Sequence, residues 1–241
     1  MSEKTALRRI INKDIKEISS QNLNSHGIYI QFDEENMLKA KAMIVGPKDS
    51  LYEGGFLFFN ITFPKNYPFS PPDLSYVSRN NIRIHPNIYV GHHSSGHGGK
   101  VCLSILGTWS GPKWTTVMDI TTVLLCLQSL LDNDPFHHEP GQEKNNSPQV
   151  LLYNEVIEYD AINTLLIKNL VNTPYGFDIF HEDMKNVMEK NKDYIFNKIK
   201  TLKEKNKGKK EATVSFYRIK TVIDYERLFY KYKEVFGIQK N

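Results

Sequence analysis

The chain has 241 residues, 40% of them hydrophobic, and carries 31 basic against 27 acidic side chains for a net charge of +4. That is enough for one sizeable core plus an appendage, too aromatic for a disordered chain, and too mildly basic for nucleic-acid binding on charge alone. Two cysteines, Cys102 and Cys126, make no disulfide framework and point to a reducing, intracellular setting, cytoplasmic or nuclear.

The opening segment "SEKTALRRIINKDIKEIS" sets Leu7, Ile10, Ile11, Ile15 and Ile18 at helical spacing, with Asp14 alone breaking the stripe. Ser2 or Thr5 is a candidate cap. The start of the chain has no apolar run of signal-peptide length, and no segment reaches the ~20 apolar residues of a membrane span. No membrane partner is expected.

The period then changes to two. Ile28, Ile30 and Phe32 alternate, as do Leu38, Ala40, Ala42 and Ile44, with the polar turn "DEEN" between them: a hairpin. "GGFLFFNITF" is apolar on both faces and reads as a central strand. "DLSYVS" is a short fourth. From Asn80 to Trp114 the pattern is loop-like. "TTVMDITTVLLCLQSLL" returns to helical spacing, with Ile120, Val123, Leu124, Leu127, Leu130 and Leu131 on one face and Cys126 read as a buried, inert thiol. "DNDPFHHEPGQEKNNSP" is a polar connection.

The remainder reads as helical. "VLLYNEVIEYDAINTLLIKNL" and "HEDMKNVMEKNKDYIFNKIKTLKEK" are helices, "KNKGKKEAT" is a solvated, mobile link, and "DYERLFYKYKEVFG" is a closing helix. The order of elements predicts an α+β fold: N-terminal helix, four-stranded antiparallel meander, active-site loop, then helices, with a C-terminal helical extension. The expected division is a core over 1–145 and an extension over 146–241.

The chemistry concentrates in "HPNIYVGHHSSGHGGKVC". One reading is a zinc site built from His85, His92, His93, His97 and Cys102, but the short Cys and His pairs of such sites are missing. A second is a cysteine hydrolase with a histidine base; several histidines lie between positions 85 and 138, but the local signatures of cysteine proteases are absent. A third is a thiol that carries an acyl group. Such a thiol needs exposure, room, and an amide donor for the tetrahedral oxyanion. Asn87 offers that amide, fifteen residues before Cys102.

The combination of "GPKDSLYEGG", "FPKNYPFSPP", "HPN" and "GKVCLSIL" closely resembles the core of ubiquitin-conjugating enzymes. The resemblance runs from about Met37 to about Glu139 and, with the opening helix, covers the first 140 residues or so. "GTWSGPKWT" and "NDPFHHEPG" resemble its Z-type branch, in which a helical extension follows the core. The family's loop between "HPN" and the cysteine is usually shorter, so "VGHHSSGHG" looks like an enlargement and its histidines need have no function.

The resemblance implies a thioester of ubiquitin or a ubiquitin-like protein on Cys102, with Asn87 as oxyanion donor and His85 and Pro86 fixing the turn. Deprotonation of the acceptor lysine falls to the segment "DNDPFHHEP", where Asp132, Asp134, His137, His138 and Glu139 are candidates; His138 and Glu139 are favoured. Phe69, Pro112 and Lys113 stand where the family meets its activating enzyme and ligases. No bound cofactor is implied, since ATP is consumed upstream by the activating enzyme. The partners implied are the modifier, an activating enzyme, a ligase and protein substrates. A non-catalytic scaffold of the same fold is the competing reading, and a zinc-binding protein a third.

Overall fold

The computed structural model describes residues 3–91 and 98–238. Helix α1 (Glu3–Arg9) passes through a π-helical turn (Ile10–Asp14) into α2 (Ile15–Ser20). Thr5 sits inside α1 and does not cap it, and Ser2 lies outside the described residues. Ala6 and Ile10 are buried, and so is Asp14, the break in the apolar stripe. Its Oδ1 accepts from the Tyr67 hydroxyl and, at 3.1 Å, from the amide of Ile120. Burial pushes its carboxyl above the usual range, although these bonds and the Arg9 guanidinium pull it down. Asp14 thus joins the first helix, the loop after the third strand and the helix that starts at Ile120, because a buried polar group must find partners.

Strands β1 (Ile28–Phe32), β2 (Lys39–Val45), β3 (Phe56–Thr62) and β4 (Asp73–Tyr76) pair antiparallel in sequence order. β3 is central, and Phe56, Leu57, Phe58, Phe59 and Ile61 are all buried, as its two-sided apolar pattern predicted. Beyond the predicted meander, a two-residue strand β5 (Gly99–Lys100) pairs with β4 as Ser75↔Lys100 and Tyr76↔Gly99. Two residues carry no readable period. Gly99 is required there because a Cβ would lie 1.7 Å from the Tyr89 carbonyl oxygen. β5 leads straight into Cys102.

Helix α3 (Ile120–Ser129) is capped by Asp119, whose carboxylate accepts from the Thr122 amide at 3.0 Å. α4 (Pro148–Asp160) continues through a π-helical stretch (Ala161–Lys168) into α5 (Asn169–Val171). This rod lies against the sheet: Asn169 Nδ2 donates to the Phe56 carbonyl at 2.8 Å. α6 (His181–Lys205) and α7 (Tyr225–Val235) follow the predicted helices closely.

The extension is not wholly helical. The expected lysine-rich link is half strand: β6 (Lys210–Val214) pairs with β7 (Ile219–Ile223), from Lys210↔Ile223 to Val214↔Ile219. Ala212 and Val214 point inward and Glu211 and Thr213 outward, a clean alternation. The neighbouring lysines hid it, since on a half-buried hairpin charged side chains simply take the wet face. No helix among the described residues is long and apolar enough to cross a membrane.

Candidate active site

The segment Arg83–Asn87 is held by its backbone from two sides. The buried hydroxyl of Tyr52 donates to the Ile84 carbonyl at 2.5 Å, and that of Tyr153, from α4, donates to the Arg83 carbonyl at 2.7 Å. Within the turn, His85 Nδ1 accepts from the Asn87 amide at 3.0 Å. His85 and Pro86 are both buried, His85 completely.

Asn87 and Cys102 are joined reciprocally. The Cys102 amide donates to the Asn87 carbonyl at 2.8 Å, and Asn87 Nδ2 donates to the Cys102 carbonyl at 2.8 Å. Fifteen residues apart in sequence, the two are thus in contact. Asn87 Oδ1 is buried without a partner among the described residues. After Cys102 the chain turns through a short 3-10 segment (Ser104–Leu106), closed by Gly107 at φ 72° and by Thr108, whose Oγ1 accepts from the Leu103 amide at 3.0 Å.

The two cysteines differ from expectation in their burial. Cys102, predicted to need exposure, is 2% exposed, whereas Cys126, predicted to be buried, is half-buried. The apolar face of α3 runs through Ile120, Val123, Leu124 and Leu127, and Cys126 falls on its flank. Burial raises the Cys102 thiol above its ordinary value; Lys100 and Arg83 oppose this and Glu139 adds to it. A thiol so placed is not a standing thiolate of the kind an imidazolium neighbour creates.

The two favoured proton acceptors have different surroundings. His138 Nε2 lies 2.8 Å from Asp132 Oδ2, and its ring packs 4.9 Å from that of His85. Desolvation opposes ionisation of Asp132, but hydrogen bonds from His138 and the Asp134 amide outweigh it and hold the carboxyl below its usual value. Glu139 instead accepts from the Tyr217 hydroxyl at 2.6 Å, from the tip of the β6–β7 hairpin. Asp134 is exposed, and His137 lies 3.1 Å from the Asn145 carbonyl. Sequence reasoning missed Tyr217, and with it Arg83 and Tyr89. Arg83 lies between the Tyr89 and Tyr217 rings, 3.7 and 4.4 Å from their centroids.

Phe69 is 53% exposed on the loop after β3. Trp114, next to exposed Pro112 and Lys113, reaches that loop through a 2.6 Å bond from Nε1 to the Pro68 carbonyl. Among the described residues no group of three or more His, Cys, Asp or Glu is placed to hold a metal ion. His92, His93 and His97 of the zinc reading lie outside the described residues.

Burial of His85, with help from nearby His138, holds its imidazole down to about 3, against the opposing pull of Asp132. A folded state that refuses this proton is at full stability above the ordinary histidine value of about 6.5 and loses stability as pH falls from there toward 3. His85→Asn keeps an acceptor for the Asn87 amide and removes the titration. Wild type should therefore lose up to about 1.4 kcal/mol per pH unit below 6.5 that the variant does not lose. Urea melts at pH 7.5 and 5.0 measure this; parallel losses in the two proteins would refute it.

A family model described as ubiquitin-conjugating enzyme matches residues 10–161. The ubiquitin-conjugating enzyme E2 Z of Homo sapiens is 41% identical over 139 residues, which are 56% of this chain and 37% of that protein. Its Xenopus tropicalis counterpart is 38% identical over 147 residues, 60% of this chain and 45% of that protein. The chain thus spans less than half the length of these curated relatives. A solved human ubiquitin-conjugating enzyme, E2 G1, is 27% identical and covers 54% of this chain and 97% of its own, at a TM-score of 0.42.

Proposed function

The chain belongs to the ubiquitin-conjugating enzyme family, in its Z-type branch, and from that premise we propose that it accepts ubiquitin or a ubiquitin-like protein as a thioester on Cys102 and passes it to a substrate lysine. The observation that carries this reading is the reciprocal bonding of Asn87 and Cys102 inside the matched segment. It sets an amide donor beside the one cysteine of the motif.

In charging, the Cys102 thiol gives up its proton as its sulfur attacks the thioester carbonyl carbon on an activating enzyme; the activating enzyme's cysteine leaves as thiolate and takes up a proton in turn. In transfer, the lysine nitrogen attacks the new thioester, the C–S bond breaks, and Cys102 leaves as thiolate. The oxyanion formed between attack and C–S cleavage is the species that the Asn87 Nδ2 amide would bind. The raised Cys102 thiol supports a carrier role over a pre-ionised nucleophile, since an activated thioester brings its own leaving group.

Residues 1–145 form the conjugating core in this reading, and 146–241 an extension. Exposed Phe69, with Pro112 and Lys113, forms the surface for the activating enzyme and ligases; an exposed aromatic on a braced loop suits an anchor. The chain itself binds no cofactor, and ATP is spent by the activating enzyme.

Incubation with activating enzymes, ATP and a panel of modifiers tests the proposal by the appearance of an adduct that thiol reagents remove. Cys126→Ser should charge at the wild-type rate within about twofold, because its side chain sits on the flank of α3, where surface changes cost within ~0.5 kcal/mol. Loss of charging in a well-folded Cys126→Ser protein would move the carrier role away from Cys102.

A further inference from the structure

The tip of the β6–β7 hairpin is built in a costly conformation. Tyr217 has φ 64° and ψ 1°, and Arg218 has φ 51°. Left-handed backbone is strained for a residue with a Cβ. A turn of this kind ordinarily takes Gly or Asn, and here it takes a tyrosine and an arginine. Such strain persists only where surroundings over-determine it, and it concentrates at functional sites.

The surroundings do so. Phe216 stacks on Phe136 with ring centroids 4.0 Å apart and meets the Tyr153 ring edge-on at 5.4 Å. The tip is thereby pinned to the 3-10 turn (Pro135–His138) that ends at Glu139. Gln149 Oε1 accepts from the Ser215 amide at 2.9 Å and ties the tip to α4. From this anchor Tyr217 makes two contacts with the site. Its hydroxyl donates to Glu139 Oε2, and its ring closes over Arg83 opposite Tyr89. Arg83 in turn donates to the Pro86 carbonyl, inside the turn that bears Asn87. Burial and the bond to Glu139 push the Tyr217 phenol far above its ordinary value, so it remains a donor throughout the physiological range.

We propose that Tyr217 is a positioning residue for transfer, fixing the carboxylate of Glu139 and, over the turn that bears Asn87, the guanidinium of Arg83, so that the C-terminal extension completes the active site of the core. The proposal rests on the thioester reading above. In the step concerned, the lysine nitrogen forms a bond to the thioester carbon, the bond from that carbon to Cys102 Sγ breaks, and sulfur leaves as thiolate. The proton lost by the nitrogen passes to the Glu139 carboxylate. Tyr217 exchanges no proton; it occupies Oε2 and leaves Oε1 to the incoming amine. A base held in this way is worth more than a mobile one because its orientation is settled before reaction.

The test uses the full chain, charged with the modifier that the panel identifies and then discharged onto free lysine over a range of concentrations. Tyr217→Phe keeps both rings over Arg83 and removes only the bond to Glu139. It should charge normally, melt close to wild type, and lose on the order of 10-fold to 100-fold in the maximal discharge rate, the scale of a misplaced reacting group. Glu139→Gln should lose at least as much, and Tyr217→Phe added to Glu139→Gln should slow it no further. Three results would overturn the proposal: wild-type discharge by Tyr217→Phe, independent multiplication of the two losses, or equal slowing of charging and discharge with a large fall in melting temperature, the mark of a merely structural tyrosine. Failure of the wild-type chain to charge with any modifier is a separate result, read before any variant, and removes the thioester reading with everything built on it.

Discussion

Cys102→Ser should abolish transfer to lysine and leave, after prolonged charging, an adduct that resists thiol reagents and yields to hydroxide. The hydroxyl is a far weaker nucleophile than the thiol, and the oxyester it forms is a far poorer acyl donor to an amine. We expect lysine transfer to fall by more than about 10³-fold, over ~4 kcal/mol of barrier. The fold should survive, since the backbone amide of Cys102, not its side chain, bonds to Asn87. The buried hydroxyl still brings a polar group into a site that is 2% exposed, at a cost of about 1–3 kcal/mol if it finds no partner. A melt alongside the charging gel separates the two effects. Thiol-sensitive charging that persists in a folded Cys102→Ser protein would place the thioester elsewhere.

Asn87→Ala is the second large effect, and the structure makes its interpretation sharper. In the resting state one of the two Nδ2 hydrogens is already in use, donating to the Cys102 carbonyl, so an oxyanion role falls to the second hydrogen or to an amide turned toward the substrate. Removing it leaves a carbonyl at a buried position short of a donor, which lowers stability by about 1–3 kcal/mol. If the amide also meets the oxyanion, discharge to free lysine should fall by roughly 10²–10³, the worth of one such donor. Charging should suffer less, because a thiol attacking a thioester faces a lower barrier than an amine does. Melting temperature, charging rate and lysine discharge measured on one preparation distinguish the roles. Equal slowing of both steps with a marked loss of stability would leave Asn87 as an anchor of the Cys102 loop and nothing more.

Much of this was legible in the residues because the signals are local. The apolar period of two in "MLKAKAMIV" and "FLFFNITF" gives β2 and β3, and the period near four in "ITTVLLCLQSLL" gives α3 and its buried face. Features that depend on distant partners were misread. Asp14 looked like a flaw in an apolar stripe until Tyr67 and Ile120 were seen to meet it. "KKEAT" looked like a mobile link, because the lysines before it mask an alternation that runs only from Glu211 to Val214. The burial of the two cysteines came out reversed, since a polar, glycine-rich surrounding says nothing about what packs over a side chain from elsewhere.

By itself, then, the sequence determined the α+β class, the family, and the pairing in motif of Cys102 with Asn87, because each is written in short-range patterns of residue type. Only the tertiary structure showed what the favoured candidates near 132–139 are bonded to. His138 is joined to Asp132 and packed on His85, while Glu139 is held from the extension by Tyr217. The physical reason is distance along the chain. Tyr217 lies 78 residues from Glu139, and its side chain reaches the site only because Phe216 finds Phe136 and the hairpin accepts a strained turn to bring it there. A composition or a period reports what one segment prefers. The meeting of two segments is settled by the packing of the whole core.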